Sequence, residues 1–466
     1  MRSAILLGPI PLSAVAGLLV SFAALGAGVQ RGNFRVGAAR VEITPAADAI
    51  PAPFKTILDK IYVRAIVLDD GSTQAAIVTA DARNMEDDIW AAVSARIQRE
   101  SGIAPDHLIL SATHSHSTPQ LRLSQQPGGP LPPTPKDANN QAYRANFQNA
   151  IVEAVRQAKT RLQPARVGYG TGLAYINVNR DWFNPKDQHW YLYQPYQGVN
   201  TSAPSDKKVY VLRFDGLNGE PIAIYCNYAV HADFNNGGNG DEISADVAGV
   251  TARYVESHYR GNVVALWAAG AEGDQHPIYK VWIDRAGVPT EQERTASHHM
   301  QTIAGEMLGE EVIFTADQIA DFNSNVHLWG AQKVFSCPGQ KVTPLNHPLT
   351  CAYPGWPVDN SRLPACDNFK VADAPPVPIR LSLLMINKVA LAGISGEPLS
   401  RVGFHVQSAS PFADTIVVGL ANGASGYIPA DVNYDGFQFE STASKIKRGC
   451  AEQGIVNGFL ELMNRD

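Results

Sequence analysis

Apolar and polar residues follow two different periods along this chain, and the switches between them mark its elements. Residues 36–44 and 62–68 read as strands, and Asp70-Gly71 turns the chain into the apolar run 75–80. Ile89, Trp90, Val93 and Ile97 then recur at helical spacing until Ser101-Gly102 stops them, and a further apolar run covers 108–112. The alternation continues with a helix over 142–162, strands over 208–214 and 221–230, and a helix over 247–259. Strand-like runs at 263–268, 381–386, 389–394 and 415–420 follow. This order predicts an α/β fold: a mixed or largely parallel sheet with helices on its faces.

Two stretches interrupt the pattern. Residues 124–137 and 336–378 are rich in Pro and Gly and read as surface loops over the site. Residues 3–30 carry no charge and follow Arg2, which predicts an exported protein with a cleaved signal peptide over 1–30. A retained membrane anchor is the alternative. A single catalytic domain is expected over 33–466.

The chain of 466 residues is 45% hydrophobic and 18% charged, enough for a large core. Its net charge of −6 comes without a long run of either sign, which argues against a nucleic-acid partner. Of five cysteines, Cys337, Cys351 and Cys366 fall in one loop-rich stretch where a bridge is expected. Cys226 reads as a buried thiol, and Cys450 either joins a loop cysteine or stays free.

The segment most informative about chemistry is Thr113-His114-Ser115-His116-Ser117-Thr118-Pro119, directly after an apolar strand. On extended chain, histidines at i and i+2 project to one side, and the carboxyl end of a strand is where α/β sheets place their sites. The neighbouring hydroxyls are candidates to orient the imidazoles. His231, Glu397 and Tyr427 also follow strand-like runs, and a His, His, carboxylate set with a further oxygen suits a catalytic zinc ion.

These segments resemble the neutral ceramidases. The histidine segment is similar to their Thr-His-Thr-His-Ser-Gly-Pro motif, and Ala229-Val230-His231 is similar to their second histidine segment. Asn179-Arg180, Gly273-Asp274 with Pro277, Gly396-Glu397 and residues 422–427 resemble further family segments in order, so the likeness runs from about residue 36 to the end. It implies a zinc-dependent hydrolase of an N-acyl amide, with ceramide or a related lipid-like substrate and peripheral membrane contact. By that resemblance His114, His231, Glu397 and Tyr427 hold zinc, His116 handles protons and Arg180 contacts substrate. Tyr434 matches a second family tyrosine and lies either near the carbonyl oxygen or in packing.

The family has a serine where this chain has Ala245. Ser244, one position earlier, is the candidate replacement, while Asp246 is a candidate helix cap. No immunoglobulin-like domain is expected after the catalytic one. A serine hydrolase is disfavoured because Gly393-Ile394-Ser395-Gly396 runs into Glu397 where a nucleophile elbow needs glycine. The rival from another class is an exported metal- and lipid-binding relative that has lost turnover.

Overall fold

The apolar runs assemble into two sheets. The computed structural model describes residues 32–122, 138–186, 188–192, 200–235, 240–278, 290–348, 350–352 and 362–465. The leader and the whole of the first proline-rich stretch, 124–137, lie outside these residues. The large sheet contains β1 (Arg35–Glu42), β2 (Tyr62–Asp69), β3 (Gln74–Ala80), β4 (Leu108–Ala112), β5 (Gln163–Leu173), β6 (Lys208–Gly216), β7 (Pro221–Tyr228) and β8 (Val264–Ala269). Its order is β8-β7-β6-β5-β1-β2-β3-β4, with Phe322–Asn323 added beside β5. The centre is antiparallel, whereas β7 with β8 and β3 with β4 are parallel pairs. Candidate ligands follow strands of both parallel pairs, His114 after β4, His231 after β7 and Glu272 after β8.

The second sheet is β9 (Leu328–Thr343), β10 (Lys370–Ile386), β11 (Val389–Ile394) and β12 (Asp414–Val418), in that order. Side-chain alternation sorts these strands into layers. Val63, Val78, Leu110 and Trp267 pack with the helices α1 (Asp87–Ser101), α2 (Ala138–Thr160), α3 (Asp246–His258) and α4 (Glu291–Gln318). Ile66, Ile77, Ile109 and Leu266 face Leu384, Ile386, Leu391 and Ile416 of the second sheet. Its far side, with Leu383, Met385 and Ala392, is covered by α5 (Ser400–Ala409) and α6 (Ala451–Met463). The result is helix, sheet, sheet, helix, a mixed α/β architecture with one more sheet than the sequence pattern predicts.

Three departures have local causes. The stretch read as a surface loop over 336–378 supplies most of the long hairpin β9–β10, in which Ser336 pairs with Pro378 and Cys337 with Val377. Prolines are tolerated because β10 gains its second neighbour, β11, only from Leu381 onward. Strand β5 escapes detection because Gly168, Gly170 and Gly172 weaken its propensity; Cβ atoms there would collide with Ile319, Thr315 and Glu311 of the α4 region. Helix α4 opens on a Thr290/Glu293 capping box, yet Ile303, Met307 and Phe314 are exposed, so it shows no clean apolar stripe.

The cysteines fall within the alternatives left open by the sequence. Cys351 bonds Cys366, Cys337 bonds Cys450, and Cys226 is a buried free thiol. Among the described residues no helix is long and apolar enough to cross a membrane.

Candidate metal centre

Strand β4 leads into His114, β7 into His231, β8 into Glu272 and β11 into Glu397. Tyr427 reaches the same place through a two-residue parallel ribbon in which Glu397 pairs with Tyr427 and Pro398 with Ile428. The ribbon is docked by Gly273 N donating to the Pro398 carbonyl at 3.0 Å. Asn422 ties it to the histidine side: its side-chain oxygen accepts from Leu110 N at 2.8 Å, and its amide group donates to the Leu108 carbonyl at 2.7 Å.

The two histidines of the His-x-His segment converge, but not along a strand. His114 has φ 60°, a left-handed turn that histidine tolerates better than most residues, and its ring meets that of His116 at 4.7 Å, edge to face. Main-chain carbonyls orient the rings of His114 and His231. His114 Nδ1 lies 2.8 Å from the Arg83 carbonyl, and His231 Nδ1 lies 2.9 and 3.0 Å from the carbonyls of Glu272 and Gln275. A carbonyl only accepts, so each Nδ1 carries the proton and each Nε2 offers a lone pair.

Those Nε2 atoms and two oxygens form one cluster. His114 Nε2 is 3.4 Å from Glu397 Oε2 and 3.2 Å from His116 Nε2. His231 Nε2 is 3.8 Å from Glu397 Oε2 and 3.4 Å from the Tyr427 hydroxyl. Donors about 2.1 Å from a tetrahedral ion stand about 3.4 Å from one another, so the spacing fits a transition-metal ion. Two overlapping triads could hold an ion, His114 with His116 and His231, and His114 with Glu272 and Glu397.

Burial and charge set the protonation states. Burial, then Arg180 and His114, push His231 well below the usual imidazole range, which keeps it neutral and able to ligate. Burial opposes the charge of Glu397, yet His114 and the cations Arg83 and Arg180 outweigh it and hold that carboxyl below its usual range. Glu272 goes the other way: burial and the neighbouring Glu397 raise it well above the carboxylate range. Tyr427 is raised by burial, with Arg180 working against the rise.

Arg180 is fully buried and spans the acidic side of the cluster. Its Nε donates to Glu440 at 2.7 Å, its Nη2 donates to the Gly273 carbonyl at 2.7 Å and to the Tyr427 hydroxyl at 3.0 Å, and Nη1 stands 3.3 Å from His231 Nε2. These bonds set the guanidinium of Arg180, the candidate substrate contact, against Tyr427 and His231.

Two sequence-predicted residues are elsewhere. Ser244 is fully buried with its hydroxyl donating to Asp59 at 2.6 Å and accepting from Gln301 and Asp246 N. Its main chain, however, stitches the histidine segment: Ser244 N donates to Ser117 O, and Ser115 donates to Ser244 O, both at 2.8 Å. Tyr434 donates to the Ile446 carbonyl at 2.7 Å, a packing bond away from the cluster. The aromatic ring beside the site is instead Phe439, 5.7 Å from Tyr427 and 5.6 Å from the Arg180 guanidinium. Asp246 begins α3 at φ 54°, and its carboxylate accepts from Val247 N and from Phe234 N and Asn235 N, closing the segment after His231.

Sequence reasoning missed Glu272, Glu440 and Phe439. Glu272 was within reach, because it follows an apolar strand just as His114, His231 and Glu397 do. A separate groove of about 680 Å³ between Leu173, Tyr175, Met307 and Phe314 holds none of the candidate ligands.

The sequence model of the family described as "neutral/alkaline non-lysosomal ceramidase, N-terminal" matches residues 54–325, a span that includes His114, His116, Arg180 and His231. Neutral ceramidase B of Dictyostelium discoideum is 29% identical over 198 residues, 39% of this chain and 25% of that protein. Neutral ceramidase A of the same organism is 25% identical over 243 residues, 48% of this chain and 32% of that protein. The matched stretches thus span no more than about a third of these curated relatives. The crystal structure of neutral ceramidase from Pseudomonas aeruginosa superposes with a TM-score of 0.66 at 18% identity, covering 93% of this chain and 74% of that one. A ceramidase complexed with C2 gives 0.67 at 17% identity, covering 93% and 75%. At these identities the structural likeness establishes the fold.

Proposed function

Because the chain belongs to the neutral/alkaline non-lysosomal ceramidase family, we propose that it hydrolyses the N-acyl amide bond of ceramide or a related N-acyl lipid. His114, His231, Glu397 and Tyr427 are the residues that would hold its zinc ion. The observation that carries this reading is the set of donor separations of 3.4–3.8 Å among those four side chains. Two neutral nitrogens, a carboxylate and a phenol suit zinc in a catalytic setting. Bound there, zinc supplies a water acidified to a pKa of about 7 and polarises an acyl oxygen.

The chain's own residues divide the remaining work. His116, more exposed than His114 and His231, stands at the edge of the cluster, where it takes a proton during attack and delivers one to the departing amine nitrogen. Arg180 aims the Tyr427 hydroxyl, burial together with Arg180 keeps His231 neutral, and Glu440 holds Arg180 in place. Phe439 walls the site beside Tyr427 and keeps water from that side. The uncharged leader together with two disulfides supports an exported setting for this chemistry.

A test is to incubate the zinc-loaded protein with ceramide and a panel of N-acyl amides, and to quantify released amine and fatty acid. Hydrolysis that a chelator abolishes and zinc restores is expected. His116→Ala should lower kcat by about 10²–10⁴-fold with zinc content unchanged. A zinc-loaded protein inert to the whole panel would sink the enzyme reading in favour of a binding protein.

A further inference from the structure

Glu272 is the one acidic side chain at the cluster whose placement the four-ligand reading leaves unexplained. It is fully buried, and neither Oε1 nor Oε2 has a hydrogen-bond partner. Its ligand atom lies within 4.8 Å of those of His114 and Glu397. Its main chain is committed to the site as well, since its carbonyl fixes His231 Nδ1 at 2.9 Å. The fold has made room for the carboxylate: a Cβ on Gly419 would come within 2.5 Å of Glu272 Oε2. A carboxylate taken from water with both oxygens unbonded, next to a second carboxylate, is strongly unfavourable unless a cation or a proton compensates it.

We propose that Glu272 is a further ligand of the metal centre, so that this chain presents two carboxylates, Glu272 and Glu397, against the imidazoles of His114 and His231. The inference rests on the metal reading of the cluster. It explains the orphaned oxygens, the glycine at 419 and the position of Glu272 at a strand end in one stroke. It also sets the class of ion: three oxygen donors beside two nitrogens suit a divalent transition cation of coordination number above four, so Mn²⁺ binds alongside Zn²⁺.

The experiment uses the full chain stripped of metal, with Glu272→Gln as an isosteric variant and Glu272→Asp as a charge-preserving one that retracts the carboxylate by one methylene. Zinc affinity is measured by competition with a chromogenic chelator, and the coordination number by X-ray absorption. Both variants should weaken zinc about 10–100-fold and lose one oxygen donor. Metal-free Glu272→Gln should melt at a higher temperature than metal-free wild type and gain less on adding zinc. Unchanged zinc affinity and coordination in a folded Glu272→Gln overturns the proposal and leaves Glu272 as a buried protonated acid. His114→Ala keeps the two readings apart. If it abolishes zinc binding while Glu272→Gln does not, only the fifth ligand fails; if neither variant alters zinc binding, the metal reading fails too.

Discussion

On the large-sheet side of the cluster, each candidate-ligand ring is fixed by main-chain carbonyls: Arg83 for His114, Glu272 and Gln275 for His231. On the other side, Glu397 and Tyr427 are brought together by a two-residue ribbon, and charged side chains, Arg180 and Glu440, do the orienting. Main-chain bonds persist through most substitutions around them, whereas side-chain ion pairs vanish when one partner changes. The imidazole half should therefore respond mainly to loss of the rings themselves, and the acidic half to changes one residue removed from the ligands.

The sharpest way to break that contrast is to remove a ring. His231→Ala should lose zinc and lower kcat/KM by at least about 10³-fold, as expected when a group that holds the charge-stabilising element is lost; retention of metal and rate would remove the imidazole half from the site. On the acidic half, Glu440→Ala removes the carboxylate that accepts from Arg180 Nε, both residues being essentially inaccessible. Urea unfolding should show a loss of about 3–5 kcal/mol, and Arg180→Met combined with Glu440→Leu should recover much of it.

A smaller effect probes the stitching behind His231. Asp246, raised by burial from 3.8 to about 7, binds its proton more tightly folded than unfolded. Its contribution is therefore complete below about pH 4 and is lost as the pH rises to about 7. Relative to Asp246→Asn, wild-type stability should fall by about 1 kcal/mol per pH unit across that window; parallel stability curves for the two proteins would refute it. The smallest change is expected for Tyr434→Phe, which removes one bond to Ile446. It should cost about 1 kcal/mol of stability and leave kcat/KM alone, and a large kinetic effect would return Tyr434 to the site.

The same contrast explains what could be read without the structure. The histidines and Glu397 are legible because each follows a strand whose apolar run is plain in the sequence, and sheet topology does the rest. Their orienting partners are not, because Arg83, Glu272 and Gln275 act through carbonyls, which every residue possesses. The bonds of Ser244 are hidden for a related reason: its main chain holds the histidine segment while its hydroxyl turns to Asp59 and Gln301. Tyr434 and Phe439 lie five residues apart beyond the tyrosine loop, and only the fold of the short helix Phe439–Ala443 decides which ring meets Tyr427. The α/β class was legible from alternating runs, but the second sheet was hidden by the prolines of β10, and β5 by its glycines.

Asn422 gives the site a timetable. Its amide bonds the strand before His114 to the loop before Tyr427 across a separation of 312 residues. Closing so long a loop is a late and entropically costly event in folding. During synthesis the histidines and Glu272 emerge well before Glu397 and Tyr427, and no stretch of chain ending before residue 427 holds the whole donor set. On the metal reading proposed above, the donor set is complete only once both sheets have met.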